Sequence, residues 1–119
     1  MSIPQKRVLI VEDEVILALD FSDMISELGY EVVGPALTLD QGLELAEVER
    51  IDCALLDVNL GGGMTSRQIA DSLRGKDVRL AFVTAYNRDY VDFAREDEEI
   101  VRKPPSHATL TRLLATLCG

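Results

Sequence analysis

The chain has 119 residues, 47 % of them hydrophobic, and a formal net charge of −9 at pH 7. This length fits one domain with its own core, which we place at residues 1–119, and the hydrophobic content excludes a disordered chain. The acidic charge argues against binding to nucleic acid or to an anionic membrane surface, because both attract basic proteins. No stretch has the pattern of a signal peptide or of a membrane-spanning helix, so we expect a cytoplasmic protein.

Five short apolar segments are predicted to be β-strands, and helical patterns alternate with them. The strands are predicted at residues 7–11, 30–33, 53–56, 79–83 and 100–102. Helices are predicted from about 15 to 28, from Thr38, from Thr65, within 87–99 and from Ser106. The helix within 87–99 is expected to be short or mobile, because its acidic stretch weakens the apolar periodicity.

Three helix starts and one strand end have local signals. Thr38 and Thr65 are each followed three residues later by glutamine, which is the spacing of a capping box. Ser106 is a favourable N-cap for the last helix. Gly34 followed by proline is expected to end the second strand.

The alternation of strands and helices predicts an α/β protein with a parallel sheet. A flavodoxin-like (βα)5 three-layer sandwich with strand order 2-1-3-4-5 is the usual solution at this size. Residues 53–56 lack polar alternation and therefore predict a central strand that is covered on both faces.

The two cysteines, Cys53 and Cys118, lie far apart in the sequence. Their spacing is typical of neither a disulfide framework nor a zinc site, so we expect structural thiols in a reducing compartment.

Chemically useful side chains follow four of the predicted strands. Glu12 and Asp13 follow the first strand, Asp57 the third, Thr84 the fourth and Lys103 the fifth. The carboxyl ends of parallel strands share one edge of the sheet, so these side chains are expected to converge there. Three carboxylates that repel one another, with oxygen ligands only, predict a site for Mg²⁺.

Each of these residues also has an ordinary structural explanation. The acids can lie in turns or at a helix N-terminus, the threonine can cap, and the lysine can lie in solvent. The glycine run 61–63 lacks the lysine of a P-loop and is interpreted as a flexible connection.

The motifs as a set resemble the receiver domain of response regulators in two-component signalling, over essentially the whole chain. The similar segments are Val11-Glu12-Asp13-Glu14 for the acidic cluster, Leu56-Asp57-Val58-Asn59 for the phosphoacceptor, Val83-Thr84-Ala85 for the threonine switch and Lys103-Pro104 for the lysine-proline corner.

The resemblance implies that Asp57 accepts a phosphoryl group from a histidine kinase or a histidine phosphotransfer protein that docks near the first helix. It implies Mg²⁺ bound directly by Asp13, mainly through water by Glu12, and by the backbone carbonyl of Asn59. Lys103, whose bond to the following proline is usually cis in the family, would hold the phosphoryl group together with the Thr84 hydroxyl. These two contacts would then reshape the face made by the fourth helix, the fifth strand and the fifth helix, where receivers also frequently form homodimers.

A finer resemblance concerns the segment from Phe82 to Tyr86, which is similar to a Phe-Ala-Thr-Gly-Tyr signature. Members of that subgroup lack the aromatic residue three positions before the lysine, where this chain has Ile100. They are often single-domain regulators that work with HWE-type histidine kinases. Tyr86 either shields the acyl phosphate from water or packs on the surface.

Three other functions are alternatives to a phosphoacceptor that is not itself an enzyme. A haloacid-dehalogenase-type phosphatase needs an acid two positions after its nucleophile, where this chain has Asn59. A flavodoxin that binds FMN needs a Ser/Thr-rich loop after the first strand, where this chain has acids. A degenerate receiver would bind a partner without phosphorylation. No effector domain follows Gly119 in this sequence, so output is expected through a partner protein, a phosphate-sink role or a region outside it.

Overall fold

The computed structural model describes residues 4–85 and 91–119. Its strands are β1 (Arg7–Val11), β2 (Glu31–Ala36), β3 (Cys53–Leu56), β4 (Arg79–Thr84) and β5 (Ile100–Arg102). Its helices, within those residues, are α1 (Val15–Glu27), α2 (Leu39–Val48), α3 (Arg67–Gly75) and α4 (His107–Cys118). None of these helices has the length and apolar character needed to cross a bilayer.

The five strands form one parallel sheet in the order β2-β1-β3-β4-β5. The predicted flavodoxin-like fold and strand order are therefore confirmed. All four residues of β3 are buried, as expected for a central strand with neighbours on both sides and helices on both faces. The carboxyl ends of all five strands lie along one edge of the sheet, which we call the rim.

Each face of the sheet has its own apolar core. On one face α1 and α4 pack on alternate residues of the strands, and the large buried side chains there include Phe21, Ile25, Leu110, Leu113 and Leu114. On the other face α2 and α3 pack on the remaining strand residues, and Phe82 lies there under the segment 91–94. This is the predicted three-layer sandwich.

The second strand is longer than predicted. It continues through Gly34 and Pro35 to Ala36, with a cis bond between glycine and proline. Gly34 has a φ of +96°, and a β-carbon at this position would lie 2.7 Å from the Ala36 backbone nitrogen, so only glycine fits. The extension lets the Ala36 carbonyl accept a hydrogen bond of 2.9 Å from the Glu12 backbone N–H, at the rim.

The predicted caps hold at two helices and fail at the third. Thr38 and Ser106 are N-caps whose hydroxyls accept hydrogen bonds from the backbone N–H three residues later. The prediction for Thr65 is wrong, because Ser66 is the N-cap of α3. Thr65 instead pairs with Asn59 in a short bridge, which holds it outside the helix.

The predicted helix within 87–99 is also wrong where the structure describes it. Residues 91–99 form turns, and residues 86–90 lie outside the described part of the chain. Two side chains of this segment are held by tertiary contacts. The Phe93 ring stands edge-on to Phe82 at 5.4 Å, and Glu98 is paired with Arg74 of α3.

The expectation of two free thiols is wrong, because Cys53 and Cys118 form a disulfide. The residues are 65 positions apart, but their Cα atoms lie 5.5 Å from each other. The last turn of α4 packs beside the start of β3, and this long-range contact has no signature in the spacing of the cysteines.

Candidate functional site

Two neighbouring strands place the acidic residues at the rim. Val11 of β1 and Leu56 of β3 are partners in the parallel register, so the residues that follow them lie side by side. The Asp57 backbone N–H donates to the Val11 carbonyl at 2.8 Å and continues this ladder by one residue. The backbone therefore fixes Glu12 and Asp57 next to each other before any side chain contributes.

Three carboxylates converge as a result. One carboxylate oxygen each of Glu12, Asp13 and Asp57 lies within 4.8 Å of the other two. Glu12 is 1 % exposed and Asp57 is 4 % exposed, whereas Asp13 is more open to solvent. This burial excludes the alternative in which Glu12 and Asp57 are ordinary surface turn residues.

Lys103 supplies a positive charge that contacts this group. It follows β5, and its backbone N–H donates to the Thr84 carbonyl at 2.9 Å. Its Nζ lies 2.9 Å from Asp57 Oδ2 and 2.8 Å from Glu12 Oε1, while Glu14 is more distant at 3.8 Å. The bond between Lys103 and Pro104 is cis, as the resemblance implied.

The charges at the rim do not balance, and the pKa values reflect this. Burial, together with hydrogen bonding to Glu12 and Asp13, raises the pKa of Asp57 to about 8 despite the opposing effect of Lys103. Burial by itself lowers the pKa of Lys103, but its hydrogen bonds to Glu12 and Asp57 raise it overall. The Lys103 ammonium therefore does not cancel the effect of burial and of the neighbouring acids on the Asp57 carboxyl.

The three carboxylates fit a magnesium ion. Mg²⁺ prefers hard oxygen ligands and commonly binds through one or two carboxylates while keeping several waters. Closely spaced acids, one of which has a raised pKa, are an arrangement that a divalent cation relieves, since its charge offsets their repulsion. The donor set of Glu12, Asp13 and Asp57 meets both conditions.

A small cavity of about 170 Å³ opens over the acids. Its lining includes Asp57, Asn59, Thr84 and Lys103. Thr84 is the last residue of β4 and is 1 % exposed, so its hydroxyl lies at the base of the rim. The Asn59 side-chain oxygen accepts from the Gly61 N–H at 3.1 Å and is thereby turned toward the loop that follows.

The first residue of the glycine run, Gly61, lines this side of the cavity. Gly61, Gly62 and Gly63 have φ values of +82°, +60° and +77°, a conformation that other residues rarely adopt. The Leu60 N–H donates to the Met64 carbonyl at 2.9 Å across the turn. A β-carbon at Gly61 would lie 3.8 Å from Asp13 Oδ2, which shows how closely the loop passes the acids.

All six predicted site residues thus lie at this edge of the sheet. Three further residues line the cavity that sequence analysis did not include in the site: Glu14, Gly61 and Ala85. Each lies close to a motif residue in the sequence, and this proximity is the signal that could have placed it in the site. The alternatives for Tyr86 concern a residue outside the described part of the chain.

Comparisons with known proteins agree with this geometry. The family model described as "Response regulator receiver domain" matches residues 8–114. The transcriptional regulatory protein PdtaR of Mycobacterium tuberculosis is 35 % identical over 95 residues, which cover 76 % of this chain and 45 % of PdtaR. The phyllosphere-induced regulator PhyR of Methylorubrum extorquens is 29 % identical over 112 residues, which cover 92 % of this chain and 42 % of PhyR. The chain therefore spans less than half the length of either curated relative.

A solved structure supports the fold. The response regulator TrrA of Thermotoga maritima, in complex with Mg²⁺-BeF, has a TM-score of 0.82 and 24 % sequence identity. The alignment covers 95 % of this chain and 99 % of TrrA.

Proposed function

Since the chain belongs to the response regulator receiver domain family of two-component signalling, we propose that it accepts a phosphoryl group on Asp57 and thereby switches a protein-interaction face. The donor is a histidine kinase or a histidine phosphotransfer protein. The observation that carries this proposal is the contact of Lys103 Nζ with Asp57 at 2.9 Å, beside the two further acids. The chain acts here as an acceptor and a regulator, not as an enzyme.

The transfer is a displacement at phosphorus. An Asp57 carboxylate oxygen attacks the phosphorus of a phosphohistidine, and the P–O bond forms as the P–N bond breaks. The electron pair of the broken bond stays on the imidazole nitrogen, which takes a proton from solvent. Asp57 attacks as the carboxylate, and because its pKa is raised, a bound cation in addition to Lys103 would increase the ionised fraction at neutral pH.

The other site residues would bind the metal ion and supply positive charge beside Asp57. Glu12, Asp13, Asp57 and the Asn59 backbone carbonyl would hold Mg²⁺. The ion, when bound, supplies positive charge against the oxygens of the transferring group. Lys103 provides a second fixed positive charge that already contacts Asp57.

The proposed output starts from the same contacts. A phosphoryl group on Asp57 attracts the Lys103 ammonium and the Thr84 hydroxyl, which end adjacent strands. Both residues adjoin β5, and Lys103 precedes α4, so their displacement alters the face formed by β5 and α4. This face is the proposed docking surface for a downstream protein or for a second copy of the chain.

The proposed donor surface lies beside the acids. Val15, Ile16 and Leu19 of α1 are 54 %, 78 % and 54 % exposed, which is unusual for large apolar side chains. They follow the acidic segment directly, so a helical donor that packs on them brings its phosphohistidine to the rim. The Phe82–Thr84 sequence and Ile100 support a donor of the HWE type. Because such kinases take their phosphoryl group from ATP, the proposal includes a cytoplasmic location.

The proposal is tested by incubating the chain with Mg²⁺ and acetyl phosphate and measuring its intact mass. We expect one added phosphoryl group in the parent chain and none in Asp57→Asn. Asp52→Asn is the matched control, because Asp52 lies five residues earlier and is paired with Arg50 away from the rim. Phosphorylation of Asp57→Asn, or no phosphorylation of the parent by any donor, would contradict the proposal, and the second result would favour a phosphorylation-independent binding module.

A further inference from the structure

The disulfide joins the strand that leads to Asp57 with the helix that follows Lys103. Cys53 is the first residue of β3, and Cys118 is the last residue of α4. At the opposite ends of the same two elements, Asp57 and Lys103 form the ion pair of 2.9 Å. The strand and the helix are therefore antiparallel and are tied at both ends.

The two ties differ in kind. The ion pair at the rim is the contact that phosphorylation is proposed to alter, whereas the disulfide at the other end is covalent. Twelve residues of α4 extend about 18 Å, so the disulfide holds the end of the helix that is remote from the rim. Opening the disulfide releases that end without touching the acidic site.

Of the two bonded cysteines, Cys118 lies nearer to the protein surface. Cys53 is 0 % exposed and Cys118 is 7 % exposed, so Cys118 is the more accessible sulfur. A cavity of about 470 Å³ opens beside this end of α4, with Arg79, Thr116 and Leu117 in its lining. Arg79, which lines this cavity, is the register partner of Cys53 on the neighbouring strand.

We propose that Cys53 and Cys118 form a reversible thiol–disulfide exchange site, whose co-reactant is a dithiol reductant and whose state sets how firmly the last turns of α4 are held on the sheet. This inference rests on the proposed cytoplasmic location. Disulfides are rare in that compartment, and those that occur there are usually transient or redox-sensing.

The exchange proceeds in two steps. A thiolate of the dithiol attacks Cys118 Sγ, the disulfide breaks, and Cys53 leaves as a thiolate that takes a proton from water. The second thiolate of the reductant then attacks the mixed disulfide and releases Cys118. Two electrons pass to the protein, and the dithiol becomes a disulfide. A low-molecular-weight disulfide such as oxidised glutathione reverses the reaction.

The reduced chain is expected to stay folded while α4 loosens at one end. Leu110, Leu113 and Leu114 remain fully buried on the sheet and hold the middle of the helix. Arg79, the first residue of β4, donates from Nη1 to the Thr116 carbonyl in the last turn of α4. At 3.3 Å this hydrogen bond is weak, so it holds the last turn less firmly than the disulfide does. The loss of rigidity is therefore expected in the last turns of α4.

The chemistry is tested first on the folded chain without any phosphoryl donor, so its outcome is independent of the phosphorylation assay. The folded chain is equilibrated with oxidised glutathione or with dithiothreitol, quenched with acid and desalted to remove the reagent. It is then unfolded and alkylated, and its intact mass is measured. We expect no alkylated cysteine after oxidation, two after native reduction, and recovery of the first state on reoxidation. Two free thiols in oxidised glutathione would overturn the proposal, as would a disulfide that opens only in denaturant.

The structural effect is tested by hydrogen exchange of both redox states. We expect amides in the last turns of α4 to exchange at least about tenfold faster after reduction, and amides of α2, on the other face, to keep their rate. Cys118→Ser should resemble the reduced chain in either buffer. Reduced parent chain gives the same comparison should this variant not fold. Equal exchange of α4 in the two states would overturn the proposal.

Discussion

Two buried ion clusters in the described part of the chain lie at opposite edges of the sheet, and they differ in charge balance. In the rim cluster Lys103 contacts Glu12 and Asp57, and Asp13 adds a third carboxylate. In the second, which we call the Arg74 cluster, the Arg74 guanidinium pairs with Glu98 through two nitrogens. The Arg74 and Glu98 side chains are 8 % and 10 % exposed.

The pKa values move in opposite directions in the two clusters. Burial by itself would raise the pKa of Glu98, but hydrogen bonds from Arg74 and from the Arg95 backbone N–H lower it overall. Burial and neighbouring acids raise the pKa of Asp57 to about 8. Similar burial therefore gives a satisfied ion pair where donors match acceptors, and an incomplete site where they do not.

The difference identifies what each cluster does. Arg74 also donates to the Phe93 carbonyl at 2.8 Å, so its cluster ties the segment 91–99 to α3 and has a structural role. The rim cluster retains an excess of negative charge beside a cavity, which suits a site for a cation and a phosphoryl group. A perturbed pKa thus indicates function more strongly when the positive and negative charges around the group do not balance.

The largest expected effect is on the balanced cluster. Arg74→Met removes the guanidinium that pairs with the buried Glu98 carboxylate, and we expect the free energy of unfolding to fall by about 3 kcal/mol at pH 7. Urea unfolding measures this change. Arg112→Met is the matched control, because Arg112 also pairs with a glutamate but on the surface, and it should leave the midpoint nearly unchanged. An equally small effect of both substitutions would show that the Arg74 cluster is not structural.

The next test asks whether each of two substitutions that remove a carboxylate charge raises or lowers the free energy of unfolding in metal-free buffer at pH 8. Glu98→Gln removes charge-assisted hydrogen bonds and should lower the free energy of unfolding by about 2 kcal/mol. Asp57→Asn relieves the repulsion among buried acids and should raise it by about 1–2 kcal/mol. Destabilisation by both substitutions would contradict the proposed imbalance at the rim.

The pH dependence of stability follows from the same values. The Asp57 carboxyl keeps its proton in the folded chain up to pH values near 8, but in the unfolded chain it ionises at about pH 4. Its contribution to stability is therefore complete below about pH 4 and is lost as the pH rises toward 8. Between pH 6 and 8.5 we expect the free energy of unfolding of the metal-free chain to fall by about 2.5 kcal/mol, and that of Asp57→Asn to fall much less. Glu98 contributes in the opposite direction. Its pKa is lowered in the folded chain, so its stabilising effect is lost as the pH falls through that lowered pKa.

The smallest expected effect is that of magnesium. With a Kd of about 1 mM, 10 mM Mg²⁺ would raise the free energy of unfolding by about 1.4 kcal/mol at pH 8, measured as an increase in Tm. The increase should be smaller at pH 6, because the ion then competes with the proton on Asp57. Glu98→Gln should keep the magnesium response, and Asp57→Asn should lose most of it. A response in Asp57→Asn equal to that of the parent would place the ion elsewhere.

The order of the elements and the location of the site were determined by the sequence itself. Apolar runs with local caps specify strands and helices within a few residues, and Thr38 and Ser106 cap as their spacing predicts. Parallel strands bring their carboxyl ends to one edge. The positions of Asp57 and Lys103 directly after strands were therefore enough to predict that they meet, although 46 residues separate them.

Other features were decided by the tertiary structure alone. The Cys53–Cys118 bond and the Arg74–Glu98 pair join residues 65 and 24 positions apart, and neither pair follows a strand end or a helical spacing. The turns of 91–99, predicted as helix, are held by contacts that Glu98 and Phe93 make with other elements. Local periodicity encodes which face of an element is apolar, but the partner that each side chain meets depends on how the layers pack, and packing is a property of the whole chain.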